Sequence, residues 1–185
     1  ATKYVGKMLD GGVVDDEMVD HCEAYAMYVR SLLTDNSMLI VEESVNYSDW
    51  VPNGYGTADA IVVDFDDKHM HVIDFKYGKG ITVDAYKNTQ GQLYALGAWS
   101  ELGFLHDIDY ITIHIYQPRK DNISAWSLKL EELLKFGDYA KSRAELAVNC
   151  ELGEELYPSE KGCQWCAYQA NCPALYNFTN ETVGN

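Results

Sequence analysis

The chain has 185 residues, of which 47% are apolar and 12% aromatic, so it is a folded protein of about one domain and not a disordered segment. No run of about 18 apolar residues occurs, which excludes a membrane-spanning helix by hydropathy. The net charge of −15 disfavours long-range capture of nucleic acid, but it allows a DNA enzyme whose acidic centre is neutralised by metal ions.

Helical and strand-like segments alternate along the chain. A helix is predicted where apolar residues recur at helical spacing, and a strand where β-branched residues form short runs between turn signals. In chain order the prediction is a helix over 16–33, strands over 38–45, 59–65 and 70–75, a helix over 84–102, strands over 110–116 and 123–128, and a helix over 130–149. This order is typical of an α/β fold with a mixed central sheet flanked by helices.

Two carboxylates are predicted to face each other across the strands at 59–65 and 70–75. If Asp66 and Asp67 form a two-residue turn between these strands, Asp59 lies directly opposite Asp74. Directly opposed residues have Cβ atoms roughly 5 Å apart, and like charges at that distance repel. The pattern therefore predicts a compensating cation, and Lys76 lies two residues beyond Asp74 on the same strand face.

Two carboxylates and a lysine around one point suit the hydrolysis of a phosphodiester. Oxygen ligands favour Mg²⁺ or Mn²⁺, which polarise a phosphoryl oxygen and help to ionise water. Lys76 can orient that water or stabilise the transition state. The alternative is that Asp74 and Lys76 form an ordinary surface ion pair.

This segment resembles the PD-(D/E)xK nuclease superfamily, in its RecB-like exonuclease branch, and within it a group of phage and prophage proteins with a cysteine-rich C-terminal tail. The matching motifs, in order, are GTAD at 56–59, IDFKYGKG at 73–80, NTQGQLYALGA at 88–98, YQPR at 116–119 and GCQWCAYQANCPA at 162–174. The resemblance implies a restriction-endonuclease-like core over residues 1–150. It also implies that Asp59, Asp74 and the backbone carbonyl of Phe75 bind the metal, and that Lys76 is the catalytic lysine.

The helix at 84–102 carries a further part of the resemblance. Gln90 and Tyr94 match the Q-x-x-x-Y helix that the family places beside its active site, and residues four apart share one helix face. Gln90 offers both a donor and an acceptor, and Tyr94 can stack or donate to a phosphate. The alternative for Tyr94 is a core aromatic, since helical aromatics are often buried.

The sequence departs from the family pattern at its N-terminal side. The family's metal-binding histidine and its upstream cysteine are not recognisable here, and we expect them to lie upstream of Ala1. Glu42 and Glu43 end an apolar strand and are either one more carboxylate near the site or a solvated strand end. His71 is expected on the sheet face opposite Asp74, as a structural residue.

Three cysteines lie in the C-terminal tail, residues 151–185, which we expect to pack on the same domain. The spacing of Cys163, Cys166 and Cys172 is similar to that of RecB-like nucleases in which tail cysteines hold a 4Fe–4S cluster, and thiolates serve Zn²⁺ equally well. Cys22, Cys150 or a residue upstream of Ala1 would complete the site. The alternative is that these cysteines are buried as small apolar side chains without a metal.

Together these features predict a metal-dependent deoxyribonuclease, an exonuclease of phage replication or recombination. Its expected partners are DNA and a phage recombination or replication protein. An odd number of cysteines without a signal segment indicates the reducing cytoplasm, and no membrane is expected. The alternatives are a non-catalytic interaction module that retains the fold, and a structural metal-binding protein.

Overall fold

The computed structural model describes residues 2–9, 12–102, 107–149, 156–164 and 166–183. The chain divides into two units, Ala1–Ala144 and Glu145–Asn185. The sequence places this boundary at residue 150, and the packing of the tail on the first domain stays a prediction.

A five-stranded mixed sheet forms the centre of the first unit. Its strands are β3 (Ser37–Asn46), β4 (Tyr55–Asp64), β5 (His69–Phe75), β6 (Tyr110–Gln117) and β7 (Asn122–Lys129). Two short strands, β1 (Met8–Leu9) and β2 (Gly12–Val13), pair with each other in a separate sheet. The helices are α1 (Asp16–Ser31), α2 (Thr89–Leu102), α3 (Leu130–Asn149), α4 (Glu160–Cys163) and α5 (Pro173–Val183). The main sheet has the order β3-β4-β5-β6-β7; β5 and β6 are parallel and the other neighbours antiparallel. The predicted α/β fold with a mixed sheet flanked by helices is confirmed.

The β4–β5 hairpin has the predicted register. Val63 lies opposite Met70 and Ile61 opposite Val72. The predicted two-residue turn is wrong in length, because the carboxylate of Asp64 accepts the N–H groups of the two residues that follow Phe65 and closes a longer turn. Phe65 and Lys68, which a two-residue turn would have paired, belong to the longer turn. Because one residue is taken from each strand, the opposed pairs further along the hairpin are unchanged.

Helix α2 begins five residues later than the sequence predicts. The side chain of Asp84 accepts hydrogen bonds from Tyr86 N at 2.8 Å and Ser124 Oγ at 3.0 Å, which holds the preceding segment as a loop against β7. Asn88 then caps the helix by accepting a hydrogen bond from Gly91 N at 2.9 Å. Short polar side chains of this kind compete with helical backbone bonds and favour turns and caps.

The sheet buries a different set of side chains on each face. Helices α2 and α3 cover the larger core, which includes Ile61, Val63, Met70, Val72, Leu96, Ile111, Ile113 and Leu133. Helix α1 covers the smaller core, in which Val29 packs with Ala60, Val62 and Ile73. Each fully buried aliphatic side chain of this size contributes about 1.5–3 kcal/mol, so burial on both faces strongly specifies the register.

A chain of hydrogen-bonded polar rings lies under α1. Tyr28 Oη lies 2.8 Å from His114 Nδ1, and His114 Nε2 lies 3.0 Å from His71 Nδ1. The ring of His69 stacks on His71 with centroids 4.2 Å apart. His71 therefore has the structural role predicted for it, on the α1 face of the sheet. We call Tyr28, His114 and His71 the histidine chain.

None of the helices within the described ranges combines the length and the apolar character that crossing a bilayer requires.

We expect the free energy of unfolding to fall as the pH is lowered from 6.5 towards 4. Burial, followed by the neighbouring histidines, lowers the pKa of His71 to about 4 and that of His114 to about 3. Well above pH 6.5 the two histidines are neutral in both the folded and the unfolded chain. Below it they take up protons only in the unfolded chain, so the free energy of unfolding falls by about 1.4 kcal/mol per pH unit for each histidine. Urea unfolding at pH 7.5, 6.5, 5.5 and 4.5 measures this slope.

His114→Gln is the control, because glutamine keeps a polar side chain at this position but does not titrate. Its slope should be smaller by about one histidine's share. Equal slopes in the wild type and this variant would contradict the assignment.

Candidate active site

The candidate site lies where the β4–β5 ladder ends. The last paired residues are Ala60 and Ile73, and the next residues outward are Asp59 and Asp74, as the register predicts. Beyond this point Asp59 Oδ2 accepts a hydrogen bond from Phe75 N at 2.6 Å. A side-chain carboxylate thus replaces the strand carbonyl, which holds Asp59 against β5 at the open end of the hairpin.

Asp74, Lys76 and Gln90 form a closed polar triangle on the α2 side of the sheet. Lys76 Nζ lies 2.9 Å from Asp74 Oδ2 and donates to Gln90 Oε1 at 3.1 Å, and Gln90 Nε2 donates to Asp74 Oδ1 at 3.2 Å. Asp74 is 9% exposed, so its charge is compensated inside the protein rather than by water. Its Oδ2 is close enough to Lys76 for an ion pair, yet it makes no hydrogen bond of regular geometry with any described residue.

Close packing of α2 on β6 brings Gln90 to this triangle. Gly91 follows Gln90, and a Cβ at Gly91 would overlap the side chain of Ile113 on β6. Glycine therefore permits a helix-to-sheet approach that alanine would prevent. The position of Gln90 beside the site depends on this contact as much as on its own side chain.

Glu42, on β3, adds a third negative charge within electrostatic reach of Asp59. The β3–β4 pairing is interrupted between the pairs Val41–Ala60 and Glu43–Ala58, so Glu42 lies where it would otherwise face Asp59. Glu42 has a φ of 54°, in the left-handed region that non-glycine residues rarely occupy. Such a backbone is maintained only when the surroundings fix it, and such residues cluster at functional sites.

The pKa of Asp59 reflects its burial and the charges of the neighbouring site residues. Burial is the main cause that raises the pKa of Asp59, and the nearby charges of Asp74 and Glu42 raise it further. The Phe75 N–H bond and the charge of Lys76 act in the opposite direction. The site therefore holds more negative charge than its own cation offsets.

Tyr94 lies one turn beyond Gln90 and packs as a core aromatic. A Cβ on Gly56 would overlap its ring, and the ring centroid lies 6.4 Å from that of Tyr47. The structure thus brings together Asp59, Asp74, Lys76 and Gln90, whereas Tyr94 lies against β4. A catalytic role for Tyr94 stays a prediction.

Across the described ranges, no three His, Cys, Asp or Glu side chains are close enough together to hold a metal ion. Mg²⁺, however, keeps several water ligands and commonly takes only one or two protein carboxylates plus phosphate oxygens. Asp59 and Asp74, with the unsatisfied Oδ2 of Asp74, fit that requirement. The excess negative charge also favours a cation at this point.

The tail cysteines are all free thiols in the described part of the chain, as is Cys22 on the exposed side of α1. Cys163 Sγ accepts a hydrogen bond from Ser159 N, and Cys172 Sγ accepts one from Leu175 N, each at 3.4 Å. Cys150 lies outside the described residues. No three thiols of the described cysteines lie close enough together to bind one metal ion. The prediction of an iron–sulfur cluster or a zinc site is therefore supported only by the spacing of these cysteines in the sequence.

Two comparisons with known proteins bear on the chain. A family model described as "Protein of unknown function (DUF2800)" matches residues 2–184. A solved structure described as "Crystal structure of SSO0001" is similar over 84% of this chain and 68% of its own length, at 18% identity and a TM-score of 0.39.

We expect Asp74→Asn to lower the pKa of Asp59, because the substitution removes one of the two negative charges that raise it. Asparagine keeps the shape of the side chain and can still accept from Gln90. Titration of ¹³C-labelled aspartate carboxyls by NMR, without added metal, measures the shift.

Asp64→Asn is the matched control at the opposite end of β4. It lies five positions along the strand from Asp59, about 16 Å away, which exceeds the screening length of about 10 Å in 0.1 M salt, so its substitution should leave the pKa of Asp59 unchanged. An unchanged pKa of Asp59 in Asp74→Asn would contradict the proximity of the two carboxylates.

Proposed function

The chain belongs to the DUF2800 family, and we propose that it is a metal-dependent deoxyribonuclease that hydrolyses phosphodiester bonds. The observation that carries this proposal is the pair of carboxylates Asp59 and Asp74 at the open end of β4 and β5, with Lys76 and Gln90 on one of them. This arrangement concentrates two negative charges and one cationic proton donor at the strand ends.

Asp59, Asp74 and the carbonyl of Phe75 are the groups that would hold Mg²⁺ or Mn²⁺. A bound ion supplies Lewis-acid stabilisation of charge on the phosphate and a more acidic water. Lys76, now paired with Asp74, then orients the attacking water or stabilises charge on the phosphate oxygens. Gln90 donates to Asp74 and accepts from Lys76, so it sets the direction of both side chains.

The resemblance to RecB-like nucleases supports the same assignment. In its motif order, the aspartate of GTAD and the aspartate and lysine of IDFK are the residues that the geometry groups together. We extend the resemblance to an exonuclease of phage replication or recombination that acts on DNA in the cytoplasm, with a phage recombination or replication protein as its partner. The restriction-endonuclease-like core is part of this proposal.

A non-catalytic module with this fold is the second candidate. Two observations favour it: the charge of Asp74 is already paired with Lys76 while its Oδ1 accepts from Gln90, and the overall charge is −15. Arg119, the last residue of the YQPR motif, is paired with Glu17 at 3.2 Å. Phosphate would then find little uncompensated positive charge, so only a bound cation makes the site attractive to DNA.

We expect Asp74→Asn and Lys76→Ala each to reduce Mn²⁺-dependent hydrolysis of end-labelled DNA at least about 10²-fold, the usual loss when one charge-stabilising group is removed from an active site. Lys68→Ala is the matched control, because Lys68 pairs with Asp107 on the surface and takes no part in the triangle. Its activity should equal that of the wild type.

Circular dichroism of each variant checks that the fold is retained. Absence of hydrolysis by the wild type in Mn²⁺ and Mg²⁺ would favour the non-catalytic module, and full activity of Lys76→Ala would refute the role given to this lysine.

For the tail we propose a 4Fe–4S cluster or Zn²⁺ held by Cys163, Cys166 and Cys172. Anaerobically purified protein should contain iron or zinc, and Cys166→Ser should lose it, since three ligands are already fewer than a closed tetrahedral site needs. Cys22→Ser tests one of the candidates for the fourth ligand, the others being Cys150 and a residue upstream of Ala1, because only a ligand's removal should lower the metal content. Elemental analysis that finds neither metal in the wild type would mean that these cysteines serve packing alone.

A further inference from the structure

Tyr25 lies on the side of α1 that packs against the candidate active site. Its ring packs on Phe75 with centroids 4.7 Å apart and on Tyr116 at 5.4 Å. The backbone N–H of Phe75 is the group that holds the carboxylate of Asp59. The same residue therefore contacts Tyr25 through its ring and Asp59 through its backbone.

The hydroxyl of Tyr25 is buried, and it has no hydrogen-bond partner among the residues that the structure describes. A buried hydroxyl without a partner destabilises the folded state, so each such group calls for an explanation. Tyr28, one turn further along the same helix, shows the opposite arrangement, because its hydroxyl bonds His114 in the histidine chain. On helix α1, the hydroxyl of Tyr28 thus forms a hydrogen bond with the sheet, whereas the hydroxyl of Tyr25 forms none with the described residues.

The charges around Tyr25 indicate what its hydroxyl serves. Burial raises the pKa of Tyr25, and the carboxylates of Asp59, Asp74 and Glu42, in that order, raise it further. The hydroxyl of Tyr25 is therefore an O–H donor within electrostatic reach of these three carboxylates. Asp74 is already engaged by Lys76 and Gln90 on the α2 side, which leaves Asp59 as the acceptor with the strongest influence.

We propose that Tyr25 is a positioning residue whose hydroxyl donates a hydrogen bond to the Asp59 carboxylate when a cation occupies the site. This rests on the proposed function, because it assigns Tyr25 to the support of the same metal-binding carboxylate. Asp59 Oδ2 is fixed by the Phe75 N–H, so Oδ1 is the oxygen that would turn towards Tyr25. The terminal torsion of aspartate is broad, so a small rotation can turn Oδ1 towards Tyr25 while Oδ2 stays within reach of the Phe75 N–H.

The expected consequence is a loss of metal affinity without a loss of stability. Groups that hydrogen-bond a ligating carboxylate fix its orientation, and their removal typically lowers metal affinity or activity by about 10- to 100-fold. Removing the hydroxyl from Tyr25 breaks no hydrogen bond of the metal-free protein. Removing it from Tyr28 leaves Nδ1 of the buried His114 without its hydrogen-bond partner.

The experiment compares Tyr25→Phe with Tyr28→Phe in the full chain. Calorimetric titration with Mn²⁺ gives the metal affinity, and urea unfolding without metal gives the stability. Tyr25→Phe should bind Mn²⁺ about 10- to 100-fold more weakly than the wild type, with an unchanged or higher urea midpoint. Tyr28→Phe should show the reverse: wild-type Mn²⁺ affinity and a lower urea midpoint.

Wild-type Mn²⁺ affinity in Tyr25→Phe would overturn the inference, and so would equal losses of affinity in the two variants, which would indicate a general effect of α1 packing. A wild type that binds Mn²⁺ but does not cleave DNA would overturn the proposed function and leave this inference to be decided by the affinities. A wild type that binds no Mn²⁺ would overturn both.

Discussion

The repulsion between Asp59 and Asp74 is the interaction on which the rest of the site depends. The β4–β5 register places them at neighbouring positions at the end of the ladder, and a fold that keeps two such charges together must compensate for them. Asp59 is held by the Phe75 N–H, and Asp74 by Lys76 and Gln90. Glu42 adds a third negative charge at the cost of a left-handed backbone, so the protein's own cation does not neutralise the site.

The two faces of the sheet support this site in different ways. On one face, the absence of a side chain at Gly91 lets α2 approach β6, so Gln90 reaches the carboxylate of Asp74. On the other face, α1 is joined to the sheet by the hydrogen bond between Tyr28 and His114, and Tyr25 packs separately on Phe75. The strand ends that carry the carboxylates thus lie between two elements, each positioned by a contact outside the site.

Charge determines how such a site can meet its substrate. The overall charge of −15 opposes the approach of a polyanion, and the Arg119–Glu17 pair shows that a nearby cation is already compensated. A divalent ion between Asp59 and Asp74 would reverse the local sign where a phosphate has to bind. For the proposed nuclease, metal binding and substrate binding would be coupled, since the carboxylates that would repel DNA in the metal-free protein would hold the ion that attracts it.

The sequence by itself determined the hairpin and the residues at its open end. Side chains alternate with a period of two along strands, so apolar residues fix the register, and the opposition of Asp59 to Asp74 follows even though the turn is longer than expected. It also determined the mixed sheet and the structural role of His71. Only the tertiary structure decided that Glu42 and Tyr25 lie within electrostatic reach of Asp59, that His114 pairs with Tyr28, and that Tyr94 packs on Gly56. These residues lie on β3, α1, β6 and α2, and the docking of separate elements depends on packing across the whole sheet, which no local sequence period encodes.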